Sequence, residues 1–516
     1  MALPLALAFG VASGLGARAG LVTAVVAGAL AAIFGGSNLQ VSGPTGAMTV
    51  VLVPVIARFG ATGVLMVGAM AGVILIAAAL GRLGRYAKFL PVPVIEGFTA
   101  GIAVVIALQQ VPAALGVTGA HGERVWAVAA DAVVRFAEHP HPASLAIALA
   151  VATTMLVGGR WRPGLPFSLI AVAAATILAR FVPWDLTRIG KLPAGLPAPS
   201  LAFVDLGSLR VLLPSALAVA ALAALESLLS ATVADAMSIS EHHDPDRELF
   251  GQGLANLIVP VFGGIPATAA IARTAVNVRG GAASKLAALT HAVVLALIVL
   301  AAGPLVGAIP LAALAGVLLA TTMRMVQVGS LWALAHSTRG DAIVLALTFG
   351  VTVALDLVTA VAVGVAVAVL LALHAVARSA RLEQVPVEPG DHSAEEQELF
   401  AEHIVAYRLE GPLFFAAAHT FLLELSHIAP VRVVILRMSR VSTIDATGAH
   451  VLGDAIERLR ERGITVLLSG IAPGHEQVLA RLRVAEQLRH DGQIFADTPA
   501  AIQYARRHVL HDKNTS

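Results

Sequence analysis

Over roughly the first 380 positions the chain alternates between long apolar runs and short clusters of Gly, Pro and charged residues. At about 20 residues per membrane helix, and allowing two short ones, these runs divide into fourteen candidate spans. The first seven cover roughly 1–17, 20–36, 44–59, 62–81, 92–112, 143–159 and 165–182. The second seven cover roughly 211–236, 247–263, 267–278, 284–308, 311–326, 341–357 and 359–378. An odd number of spans per half makes the two repeats inverted, as in many secondary transporters. The expected fold is an α-helical membrane protein with two inverted repeats, about 1–205 and 206–381, joined by the Pro-bearing stretch Trp184–Leu209.

The third span of each half is interrupted in the same way. Val41–Thr49 reads VSGPTGAMT and Gly263–Asn277 reads GGIPATAAIARTAVN. In each, residues suited to extended backbone meet a proline, and small residues able to begin a helix follow. Irregular backbone at membrane depth survives only where protein shields it or where it lines a cavity. Two such segments at corresponding places in two halves point to a transporter's substrate site. A helix N-terminus carries about half a positive charge and unpaired N–H donors. Two of them facing across a cavity would hold one anion largely through backbone. Thr45, Gly46 and Ala47, with Thr268, Ala269 and Ala270, are therefore the candidate contacts. Taken singly, each proline would simply kink a packed helix; their duplication favours the site.

Composition agrees with the apolar pattern. Of 516 residues, 58% are hydrophobic and only 13% charged, with a mean hydropathy of +0.84. A soluble chain of this length needs roughly 25% charged residues, so this is an integral membrane protein. Its 47 glycines suit close helix packing in lipid. Cysteine is absent, which excludes disulfides and thiolate metal sites. Met1–Gly16 is apolar without a basic lead and further spans follow at once, so it reads as a membrane helix, with room for a cytosolic lead-in ahead of it. Arg82, Arg85, Lys88, Arg160, Arg162, Arg378 and Arg381 fall on the side that carries the C-terminus, which makes that side cytoplasmic. Arg180, Arg188, Lys191 and Arg210 lie opposite and soften the bias.

Few charges sit inside the spans. Arg273 lies in the second interrupted segment, where a charge costs about 2.5–3.5 kcal/mol and so usually faces a cavity. It would set a positive field near the site, unless it simply pairs with a carboxylate or carbonyl. Glu226, with Ser230 one turn away on the same face, interrupts an Ala/Leu-rich span. There it would carry a proton with substrate, bind a cation when ionised, or tie down a neighbouring helix. Glu96 is a weaker candidate, Asp235 and Asp356 belong near span ends, and Asn256 and Asn277 serve as helix ties. The histidines His121, His139 and His141 in Gly116–Pro142 match no compact metal site, and that stretch is expected to be a solvated external loop. No nucleophile–base pair, phosphate loop or metal cluster supports an enzyme, and no cofactor or nucleic-acid partner is expected.

Beyond Arg381 the character changes. Glu383–Glu398 is acidic and Pro-bearing, an expected linker spanning about 382–399. From Glu402 to Leu510, IVAYRLEG, VRVVILRMS and ITVLLSG alternate with helical stretches around Ala417–Ile428, Ala446–Glu461 and Pro499–Val509. That is a compact soluble α/β domain over about 400–511.

GSNLQVSGPTGAM, PVIEGFTAGIAVVIALQQ, ALESLLSATVADAMS and ELFGQGLANLIVPVFGGIPATAAIARTAVN resemble the sulfate permease (SulP) family of anion transporters, relatives of prestin and pendrin. VVILRMSRVSTIDATG resembles that family's STAS domain. The resemblance implies seven-plus-seven spans, a core domain moving against a gate domain, and a homodimer. It implies an anion between the third and tenth helix N-termini, with Phe9 lining the site, Arg273 beside it and Glu226 as the coupling residue. Leu5 stands where several relatives have Gln or Glu, and Ala446 replaces the serine after Asp445, which makes phosphorylation control of the domain doubtful. The expected activity is secondary active uptake of a small anion at the cytoplasmic (inner) membrane, by alternating access. The half-helices suit a carboxylate, bicarbonate or sulfate; the resemblance leans to a C4-dicarboxylate such as fumarate, and to proton rather than sodium coupling. An uncoupled channel or exchanger and a signalling scaffold, with a cytosolic protein on the STAS domain, are the rivals.

Overall fold

The computed structural model describes residues 2–89, 91–122, 124–162, 165–182, 184–190, 195–238, 242–355, 357–378, 381–385, 402–414, 431–484 and 486–515. The chain divides into two compact units, 1–368 and 369–516. The first is helical, apart from two very short strands.

Its elements are α1 (Ala2–Ala12), α2 (Ala17–Phe34), β1 (Ser42–Gly43), α3 (Gly46–Leu80), α4 (Val92–Leu115), α5 (Val125–Glu138), α6 (Pro142–Trp161) and α7 (Phe167–Phe181). Then follow α8 (Leu209–Met237), α9 (Pro245–Ile258), β2 (Thr268–Ala269), α10 (Ile271–Arg279), α11 (Lys285–Gly307), α12 (Leu311–Met325), α13 (Val328–Ser337), α14 (Arg339–Ala354) and α15 (Leu357–Arg378). Each of the fourteen apolar stretches contains helix. The third and fourth run on as α3, which breaks at Gly60, where φ 66° and ψ −167° are open only to glycine. Seven described helices are long and apolar enough to cross a membrane, and α1, α7 and part of α11 are shorter apolar helices, so length alone does not return fourteen crossings.

The pattern misled in three places. Gly116–Pro142 is not a loop throughout, because α5 forms within it and packs against α4 through Ala129 and Ala132. Helix α13 was not expected, being too short for a span. Thr268 and Ala269 do not begin a helix: they form β2, and α10 starts at Ile271. The reason is a partner strand, since β1 and β2 pair antiparallel with Ser42 opposite Ala269 and Gly43 opposite Thr268.

Close backbone approach locks the helices around this ladder. A Cβ on Gly72 of α3 would lie 2.5 Å from the Leu257 amide nitrogen of α9, so only glycine fits that crossing. Buried Leu7, Met48, Leu52, Leu75, Ile102 and Leu318 belong to one apolar cluster joining α1, α3, α4 and α12.

The second unit carries a five-stranded sheet in the order β3 (Arg381–Val385), β4 (Ile404–Leu413), β5 (Val433–Ile444), β6 (Thr465–Ser469) and β7 (Ile494–Phe495). The pair β3·β4 is antiparallel and the others are parallel. Alternation along β5 serves two cores: Val434, Leu436 and Met438 face one, Val433 and Ile435 the other. Residues 381–385 are strand rather than linker, held by pairing with β4. The remainder of the expected linker and the helix expected over Ala417–Ile428 lie outside the described residues.

Candidate anion-binding site

Antiparallel pairing decides the geometry of the site. Because β1 and β2 run in opposite directions, α3 and α10 leave the two-residue ladder in opposite directions, with their N-terminal ends turned toward it. The Ala270 amide extends the ladder by donating to the Val41 carbonyl at 3.2 Å. Helix α10 has nine residues, about 13.5 Å at 1.5 Å per residue, too short to cross a bilayer. No side chain caps the first amides of α3 or of α10.

A cavity of about 500 Å³ lies at these helix starts. Phe9, Thr45, Gly46, Ala47, Glu226, Ala269, Ala270 and Arg273 all line it. Gly46 is tightly held, since a Cβ there would run into Ile106 and come 3.2 Å from the Phe9 ring. Leu5 is also on the wall, as an apolar contact.

Arg273 is 6% exposed. Its Nη2 donates to the Pro44 carbonyl at 2.8 Å, which ties α10 across to the start of α3. Its Nη1 is buried with no hydrogen-bond partner. A buried, half-satisfied guanidinium is costly unless something negative completes it. Gly43 makes room for it, because a Cβ at that position would stand 2.5 Å from Nη1. Across the cavity, Thr45 Oγ1 donates to Glu226 Oε2 at 2.9 Å. The hydroxyl of the α3 N-cap residue thus serves a carboxylate on α8 instead of its own helix.

Two candidates do not reach the cavity. Thr268 is fully buried and its Oγ1 donates to the Ala223 carbonyl of α8 at 3.1 Å. Ser230 is fully buried too, and its Oγ donates to Thr274 Oγ1 at 2.9 Å. That Thr274 oxygen also accepts the Val41 amide at 3.2 Å, so Ser230 supports the ladder from behind. The face of α8 that Ser230 occupies turns it from the cavity, and strand alternation turns Thr268 away where Ala269 lines the wall.

Other polar residues of the spans have structural partners. Asn277 Nδ2 donates to the Leu39 carbonyl at 2.8 Å, and Asn256 holds Ala267 through two bonds of 2.8 Å each, so both tie a helix to non-helical backbone rather than helix to helix as expected. Glu96 Oε1 accepts from Ser330 Oγ at 3.0 Å. Asp235 lies 2.7 Å from His243 Nδ1 near the end of α8. Asp356 lies outside the described residues. Sequence reasoning missed Arg279 at the end of α10 and Arg324 near the end of α12, both on the cavity wall. Their only signal was a basic residue in the last turn of a helix, which surface arginines share.

The comparisons agree with this architecture. The sulfate permease family model matches residues 1–348, and the STAS domain model matches 399–501. The chain is 34% identical to the putative sulfate transporter YvdB of Bacillus subtilis over 487 residues, 93% of this chain and 91% of that protein. It is 32% identical to the bicarbonate transporter BicA of Synechocystis over 486 residues, covering 91% and 86%. The transmembrane domain of a cyanobacterial BicA superposes with a TM-score of 0.63 at 32% identity, covering 71% of this chain and 94% of that one. The overall structure of SLC26A9 shares the fold with a TM-score of 0.84 at 18% identity, covering 99% and 89%. With its interrupted helices meeting at a cavity and a STAS sheet in its second unit, the chain belongs to the sulfate permease family, a family of transporters rather than enzymes.

Proposed function

We propose that this protein is a secondary active transporter that carries a small oxyanion through the cavity at the starts of α3 and α10, by alternating access. One observation carries the proposal: the buried Arg273, whose Nη1 has no hydrogen-bond partner, lines the same cavity as two helix starts without side-chain caps. One cation and two helix ends are a match for a compact anion. The relatives' names, sulfate and bicarbonate, are of that kind. A C4-dicarboxylate is the second candidate, because its far carboxylate would find Arg279 or Arg324 on the same wall.

Glu226 is the proposed coupling residue. It stands within hydrogen-bond reach of Thr45, so its protonation state acts directly on the residue that begins α3. Ser230 contributes through Thr274 rather than by facing the coupling ion. The basic loops support a STAS domain on the cytoplasmic side, and two copies of the chain are taken as the working unit.

The test is uptake of labelled sulfate, bicarbonate and fumarate into proteoliposomes, with and without a pH gradient and then a sodium gradient. Saturable uptake driven by the pH gradient is expected. The Glu226→Gln variant is expected to lose that accumulation while still exchanging labelled for unlabelled anion. Unchanged proton-driven uptake in the variant removes Glu226 from coupling, and current that substrate never saturates makes the protein a channel. Deleting residues after Glu383 is expected to leave anion binding in place; its loss favours the scaffold alternative.

A further inference from the structure

We infer that Glu248, Gln252 and Asn256 form a polar rail on α9 that holds both halves of the β1·β2 ladder in register, so that α9 sets the shape of the anion site without touching it. The inference rests on the proposed anion-binding role of the cavity. The three residues are spaced i, i+4 and i+8, so they stack along one face of the helix. All three are buried, at 2%, 0% and 0% exposure, and none lines the cavity.

Each has a separate grip. Glu248 Oε2 accepts the Gly36 and Ser37 amides at 2.9 and 3.3 Å, which fixes the chain as it leaves α2 toward β1. Gln252 Nε2 donates to Glu248 Oε1 at 3.0 Å and to Ser42 Oγ at 2.6 Å. Ser42 lies two residues before Pro44, whose carbonyl receives Arg273. Asn256 presents its amide to Ala267 as a paired strand would, taking the Ala267 amide on Oδ1 and giving Nδ2 to the Ala267 carbonyl. Ala267 immediately precedes β2. A further bond of 2.9 Å from Asn256 Nδ2 to the Gln252 carbonyl joins the last two members.

The rail therefore grips one strand of the ladder through Ser42 and the other through Ala267. A slip of either strand would strand several buried polar atoms, each unpaired group being expensive in a low-dielectric interior. The helix that carries the rail is itself wedged. A Cβ on Gly253 would meet the Gly72 carbonyl at 2.9 Å, and Gly36 and Gly251 leave no room for a Cβ where α9 meets the end of α2.

The experiment uses the full-length protein, with Gln252→Met, Ser42→Ala and the double variant. Hydrogen exchange of peptides covering 38–46 and 264–272 is compared with the rest of the chain, and KM and kcat are measured for labelled sulfate and bicarbonate. Exchange in 38–46 is expected to quicken about tenfold in each single variant, with the double no worse than the more severe single. KM is expected to rise about five- to tenfold with kcat within about twofold, which a loss of folded protein cannot produce. Unchanged exchange in these peptides, fully additive effects, or a fall in kcat at constant KM each overturn the inference. If Gln252→Met does not fold, Ser42→Ala carries the test alone. Wild-type protein that takes up neither anion refutes the proposed substrates, while the exchange measurement still decides whether the rail holds the ladder.

Discussion

At the start of α9, Asp244 accepts the amides of Asp246 and Arg247 at 3.0 and 3.1 Å. At the start of α10, a short way along the same half, Ala270 has no side-chain oxygen to offer, and at α3 Thr45 turns its hydroxyl to Glu226. The STAS helix Ala446–Glu461 repeats the first arrangement, with Asp445 accepting the Gly448 amide at 2.7 Å. Side-chain closure is not general, since α2, α4, α8 and α12 among others also begin without it, so an open end is not by itself the mark of the site. The two ends at the cavity are left open and lie beside an incompletely bonded cation. An acceptor from outside, of negative charge, is what would complete all three.

Removing the cation breaks this contrast most severely. Arg273→Met is expected to weaken anion uptake by about a hundredfold, near 3 kcal/mol for a charge-assisted bond in a buried site, with Arg273→Lys recovering part of it. Concentration-dependent uptake in proteoliposomes measures this, and an unchanged KM would separate Arg273 from the anion. Gly43→Ala leaves the cation in place but pushes on Nη1, so about a tenfold weakening is expected from the same assay. Closing the open helix end sharpens the contrast further. Ala270→Asp places a carboxylate where an N-cap acceptor belongs, and is expected to raise thermal stability by about 1 kcal/mol while anion affinity falls several-fold. Stability and affinity moving together would show that the α10 end is not reserved for a ligand. The mirror experiment has the smallest effect on transport: Asp244→Ala is expected to lose about 1 kcal/mol of stability in thermal unfolding and leave KM alone.

Much of the site was legible because the signals were local. Pro44 and Pro266 interrupt apolar runs, and a proline with small neighbours cannot continue a helix without cost. Glu226 and Arg273 were conspicuous because a charge in an apolar span has to be accounted for. The rail residue Asn256 was legible only as a helix tie, since nothing in its neighbourhood names Ala267 as partner. Arg279 and Arg324 were not legible at all, because each ends a different helix and only packing sets them on one wall. Thr268 and Ser230 illustrate the opposite error: the residue types suit an anion or cation site, but their direction is decided by contacts with other helices.

The sequence alone determined which stretches are apolar, where prolines interrupt them, and which few charges lie within them. Those follow from hydropathy and backbone sterics, which act over a turn or two of chain. Only the tertiary structure decided that Ser42 stands opposite Ala269, that Thr268 is strand instead of helix, and that Gly43 leaves space for a guanidinium carried by the other half. Strand register and side-chain direction depend on partners distant in sequence, and a buried donor finds its acceptor only once those partners have been brought together.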